Sequence, residues 1–227
     1  MKTSLKSRVS SFLLVFGALS FSGADLLRRL VVPAGNPDTA AITHAVAQHQ
    51  GLWLVASLLA VVAGGCLAVG ALALIPHQRA RGSRATTLGA IMLAIGAMAS
   101  IGHAVAFYSP YALFALVDAS AGQITALDRA SESSPLLLLL ILAFMVGLMP
   151  GSIILFTGLR RARRIPLWAL VAVVVFVVCG SANGVLPGVL GLLAAVAAFI
   201  PAATDLYRVS PEPGMRRVDG SQMEATS

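Results

Sequence analysis

Six apolar runs, separated by turns whose arginines cluster on one side when the chain is threaded through a bilayer, constrain this sequence more than any other feature. They cover about residues 9–27, 40–75, 86–108, 135–158, 166–182 and 185–205, mostly near the ~20 residues a helix needs to cross ~30 Å of hydrocarbon. With 58% apolar and only 11% charged residues, the chain has too little polar surface to stay dispersed in water. The expected fold class is therefore all-α: one polytopic transmembrane helical bundle of six spans over residues 1–208. Residues 209–227 carry Pro211, Pro213, Gly214 and alternating charge, a composition too polar to bury, and are expected to form a disordered cytoplasmic tail.

The formal net charge of +7 does not point to nucleic acid, because the basic residues stand at the ends of apolar runs instead of forming a soluble basic patch. They set orientation. With the amino terminus inside, the inner segments hold Lys2, Lys6, Arg8, then Arg79, Arg81, Arg84, then Arg160, Arg161, Arg163, Arg164, then Arg208, Arg216, Arg217. The outer segments hold Arg28, Arg29 and Arg129. Positive residues are retained on the cytoplasmic face, so both termini are expected there, with the arginine clusters against anionic headgroups. Lys2, Lys6 and Arg8 before an apolar stretch ending Ser22-Gly23-Ala24 also spell a cleavable signal peptide. Arg28 and Arg29 just past that cut hinder translocation, which favours a retained first span. Asp25 then pairs with Arg28 or Arg29 at helical spacing, in its plainest form a surface ion pair of little energetic weight.

The loops carry their own signals. Asp38 or Thr39 can cap a helix that begins outside the membrane and runs straight into the second span, with His44 and His49 on its first turns. Trp53, Tyr108 and Tyr111 mark the outer headgroup level. Between spans three and four, Leu113, Leu116, Val117, Ala121, Ile124 and Leu127 recur at helical spacing against Asp118, Gln123 and Asp128, which predicts an amphipathic outer helix over about residues 111–130. Ser134-Pro135 reads as N-cap and first residue of span four, and Pro150-Gly151 as a kink within it.

Small residues fall in stripes that let helices approach closely in lipid. Gly184, Gly188, Gly191 and Ala195 mark the sixth span, Gly89, Gly96 and Ser100 the third, and Gly64 the second. The expected consequence is a tight interior. Cys66 and Cys179 lie within apolar runs and are expected to be buried free thiols. His103, one turn inside the outer end of the third span, is the most conspicuous intramembrane polar residue. Together with His49 and His44 it defines an alternative function class, a membrane-embedded haem or metal redox protein or metal-dependent enzyme. Against that, His44 and His49 are five residues apart, about 140° around a helix, so they do not face one metal as an i,i+4 pair does. No phosphate loop, nucleophile elbow, zinc-protease motif or row of intramembrane acids is present.

The first span ending in GADLLRR, the histidine-bearing stretch before a Trp-containing second helix, the basic RARGSR loop and the RRARRIPLW turn together resemble a loose group of bacterial six-helix integral membrane proteins of unknown function. The resemblance covers residues 9–208 at the level of topology, and implies a membrane-embedded bundle with no catalytic residues to carry over. The expected function is a non-enzymatic bacterial inner-membrane protein binding a lipid-like ligand or a partner protein at its outer face, without a cofactor. A small transporter is a further alternative, and self-association is left open.

Overall fold

The computed structural model describes residues 2–33, 38–75, 81–117 and 119–208, and these are helical throughout, without a strand. Eight helices follow in order: α1 Lys2–Val31, α2 Thr39–Gln48, α3 Gln50–Leu72, α4 Ser83–Val117, α5 Ala121–Glu132, α6 Pro135–Arg161, α7 Leu167–Ser181 and α8 Val185–Arg208. Five of them, α1, α3, α4, α6 and α8, are long and apolar enough to cross a membrane. This makes the chain a multi-pass membrane protein, since a lone apolar helix of that length has no stable place in water. The apolar α7, with 15 residues, spans about 22 Å at 1.5 Å per residue, short of the full hydrocarbon thickness. The expected stop at Pro76, part of the basic turn and the polar tail lie outside the described residues.

The six apolar helices form a ring in chain order, α1 against α3, α3 against α4, α4 against α6, α6 against α7, α7 against α8 and α8 back against α1. The α6–α7 contact is the thinnest of the six. At one end the ring carries α2 and α5, and this is called the capped end. The opposite, terminal end holds the start of α1 and the finish of α8, joined by a hydrogen bond from the Ser7 hydroxyl to the Leu206 carbonyl, 2.6 Å. There Arg164, in the α6–α7 turn, pairs with Asp205 of α8 at 2.6 Å.

Glycines set the closest approaches. On α4, a Cβ at Gly89 would collide with the Leu155 backbone, and one at Gly96 with the backbone of Gly147 and Leu148. Facing them on α6, Gly147, Gly151 and Gly158 meet Gly96, Leu93 and Thr86 in return. Gly17 and Gly70 do the same between α1 and α3, where a Cβ on Gly17 would lie 2.7 Å from the Leu67 nitrogen and one on Gly70 2.6 Å from the Leu14 Cα. Close backbone approach of this kind is how dispersion holds helices together where lipid removes the hydrophobic drive.

Several local expectations are revised. The helix entering the second span is not continuous: α2, capped by Asp38 whose Oδ1 accepts the Ala41 N–H at 2.6 Å, ends at His49, and α3 restarts at Gln50. The outer amphipathic stretch of residues 111–130 is also divided. Its first turns, with Leu113, Leu116 and Val117, extend α4 through Pro110, while α5 begins afresh after Ser120. That restart is a capping box, Ser120 Oγ accepting the Gln123 N–H and Gln123 Oε1 accepting the Ser120 N–H, which terminates one helix by offering the next a better start. Trp53 does not face headgroups. It is 2% exposed, packed on Phe107, Tyr108 and Tyr111, and its Nε1–H donates to the Tyr108 carbonyl at 3.0 Å. Cys66 and Cys179 are free thiols, partly buried.

Candidate functional site: a cavity within the ring

The interior is not uniformly tight. A half-enclosed cavity of about 300 Å³ lies in the half of the ring nearer the capped end, and all six apolar helices contribute to its wall. It exists because the small residues of α8 and α4 meet aromatic residues whose rings do not fill the space opposite. Phe21 of α1 lies 6.2 Å from both Phe144 of α6 and Phe176 of α7, centroid to centroid, in tilted and edge-on contacts. Toward the terminal end, Phe199 closes the core edge-on against Phe156 at 5.2 Å and Phe176 at 6.1 Å.

One end of the cavity is polar. Asp25 and Arg28 line it, and Arg29 stands behind them. Asp25 Oδ1 takes the Arg28 Nη2 at 2.8 Å and Oδ2 takes the Arg29 Nε at 2.7 Å. The plain surface-pair reading of Asp25 is thereby corrected, because the Arg29 side chain is 2% exposed. Its guanidinium donates to four main-chain carbonyls at the α7–α8 turn: Ala182, Gly184 at 3.0 Å, Cys179 at 3.1 Å and Gly180 at 3.3 Å. Cys179, Gly180 and Ala182 stand at the end of α7, where helix carbonyls run short of main-chain donors, although Cys179 also accepts the Ala182 N–H at 3.3 Å, and Gly184 precedes α8; Arg29 is thus a buried clamp on the α7–α8 turn supplied by another helix.

The three histidines do not come together. His44 is exposed on α2 and His49 exposed at the α2–α3 junction, whereas only His103 lines the cavity. Its ring stacks on Phe144 at 5.0 Å and Phe107 at 6.2 Å, and it makes no side-chain hydrogen bond among the described residues. Nor does any group of three or more His, Cys, Asp or Glu among the described residues stand close enough to hold a metal ion. The two cavity serines turn their hydroxyls to their own helices, Ser22 donating to the Ala18 carbonyl at 3.0 Å and Ser100 to the Ala97 carbonyl at 2.7 Å.

The small residues divide between contact and cavity. Gly64 faces Ala97 and Ile101 of α4, Gly89 and Gly96 face α6, and Ala195 is fully buried in the core. Gly188 abuts the Arg29 Cδ, 2.8 Å from where a Cβ would stand, and also lines the cavity. Gly191 lines it too, with only an ordinary contact of 3.4 Å to the Cys179 Cβ. Gly184 is not on a helix face at all. At φ +96° it occupies the left-handed region in the α7–α8 turn, where a side chain would be strained. Reading by sequence missed the cavity aromatics and the α6 glycines. The glycine spacing of Gly147, Gly151 and Gly158 was the available signal.

No protein-family model, curated protein or solved structure matches this chain.

Proposed function

We propose that the protein is a non-enzymatic integral protein of a bacterial plasma membrane that holds a lipid-like ligand in this cavity. The observation that carries the reading is a half-enclosed, aromatic-lined space of about 300 Å³ with Asp25, Arg28 and His103 at one end. An apolar wall with a few convergent polar groups is the usual composition of a small-molecule site, and the volume falls at the low end of the ~300–1,000 Å³ such sites occupy. Binding is the plainer reading because both cavity serine hydroxyls donate to main-chain carbonyls and Asp25 is shared by two guanidinium groups. Transport is disfavoured by the Phe156–Phe199–Phe176 cluster between the cavity and the terminal end.

In this reading α7 crosses as the sixth, short span, and both termini are cytoplasmic, which puts the cavity in the outer half. The described arginines support that orientation: Arg8, Arg81, Arg84, Arg160, Arg161, Arg163, Arg164 and Arg208 belong to the terminal end, against Arg28, Arg29 and Arg129 at the capped end. The ligand enters sideways from lipid between α6 and α7, where helix contact is thinnest and the cavity-lining Met145 is 46% exposed. Native mass spectrometry of the full chain released from neutral detergent tests the reading. A bound amphiphile at one per chain is expected. A spectrum of bare protein under conditions that retain known protein–lipid complexes contradicts it.

A further inference from the structure

We infer that the occupant of the cavity is a single-chain amphiphile with an anionic oxyacid head, its carboxylate or phosphate paired with the Arg28 guanidinium. The inference rests on the reading of the cavity as an amphiphile site and adds the chemistry of the head. Among the charged groups at the polar end, two guanidinium charges stand against the single Asp25 carboxylate, leaving one positive charge in surplus. Arg29 spends its donors on Asp25 and the four carbonyls of the α7–α8 turn. Arg28 uses Nε and Nη2 on Asp25 Oδ1, and its Nη1 makes no hydrogen bond among the described residues.

The surplus charge therefore resides on a side chain that lines the cavity. Arg28, a third exposed, already pairs with Asp25, and an oxyacid head would answer the remaining positive charge and offer the planar fork that a guanidinium matches. His103 stands in the same cavity with its ring nitrogens unengaged among the described residues, a second hydrogen-bonding partner for such a head. A cationic head is disfavoured, since Asp25 is the one carboxylate among the described residues lining the cavity and is shared by two guanidinium groups. A volume of about 300 Å³ lies at the bottom of the ~300–1,000 Å³ range of ligand sites, which suits one hydrocarbon chain better than the two of a phospholipid.

The test is a titration of the full chain in a neutral maltoside detergent, read by native mass spectrometry, with dodecyl phosphate, laurate, dodecanol and dodecyltrimethylammonium as probes. Dodecyl phosphate or laurate is expected to form a one-to-one adduct at least about tenfold tighter than dodecanol, as the loss of a charge-assisted hydrogen bond dictates. Whichever anion binds more tightly identifies the head. Arg28→Gln is expected to erase the preference and Arg28→Lys to keep part of it; should Arg28→Gln fail to fold, the wild-type ranking of the four probes decides. Gly191→Leu, at a position that lines the cavity and whose added Cβ would meet only the Cys179 Cβ at 3.4 Å, is expected to weaken every adduct. Dodecanol binding as tightly as the anions, and still sensitive to Gly191→Leu, overturns the anionic head while leaving the amphiphile cavity standing. Adducts that persist unchanged in Gly191→Leu overturn both.

Discussion

Arg28 and Arg29 are adjacent in sequence and share one carboxylate, yet burial gives them different work. Arg29 is 2% exposed and holds the end of α7 through main-chain carbonyls, while Arg28 is 33% exposed and borders the cavity. Removing Arg29 takes the clamp from the α7–α8 turn and one of two partners from Asp25, which keeps Arg28, so the loss is expected to fall at or below the ~3–5 kcal/mol of breaking a fully buried pair. Removing Arg28 forfeits a partly solvated pair, for which about 1 kcal/mol or less is ordinary. In detergent, Arg29→Ala is therefore expected to unfold at a clearly lower temperature than Arg28→Ala. Equal losses would show that Arg29 does not clamp the α7–α8 turn. The Arg29 fold also bears on topology, because an arginine buried against a carboxylate weighs less as an outer positive charge than the sequence count assigns it.

At the scale of helices, the α4–α6 seam makes a sharper prediction than the α8 stripe. Gly96→Ala places a methyl against the backbone of Gly147 and Leu148, and overpacking of this kind costs on the order of 1–3 kcal/mol. Gly65→Ala, on α3, meets nothing within 4 Å, and alanine's helix preference of about 1 kcal/mol over glycine should make it neutral or stabilising. Thermal melts of the two variants in the same detergent check this, and matching shifts would remove the seam from the account. By contrast, Gly191→Leu, which the stripe alone marks as a packing clash, lies in the cavity wall with only an ordinary 3.4 Å contact to the Cys179 Cβ and is expected to be tolerated.

The helices themselves were legible, because an apolar run of span length has few alternatives and Asp38 and Ser134-Pro135 announce where α2 and α6 start. The divisions at His49 and Ser120 were legible only in part. Ser120-Ala121-Gly122-Gln123 spells a capping box, but the apolar periodicity from Leu113 to Leu127 runs across it and suggests one helix. The cavity was not legible. Phe21, Phe144 and Phe176 come from three separate spans, and periodicity fixes the face of each helix without fixing the depth at which neighbours meet. Nor does any spacing rule join Arg29 to a turn about 150 residues away, a pairing that only the closing of the ring creates.

For the whole molecule, α1 is a structural member of the ring. Leu14 and Ala18 are buried in the main core, and Phe21, Asp25 and Arg28 build the cavity. Cleavage after Ala24 would remove one wall, so the intact mass of the purified protein is expected to include residues 2–24, and a mature chain beginning at Asp25 would contradict the ring. If the ring crosses the membrane six times with the amino terminus inside, a reporter fused after residue 227 is active in the cytoplasm; activity only on the far side would contradict that orientation or the sixth crossing.

Whether the cavity holds an amphiphile is decided by what copurifies with the protein. Organic extracts of wild-type and Gly191→Leu protein, purified side by side in neutral detergent, are compared by mass spectrometry. One amphiphile in stoichiometric amount from the wild type, depleted in the variant, is the predicted result. The same mixture from both, in the proportions of the surrounding membrane, would contradict the claim.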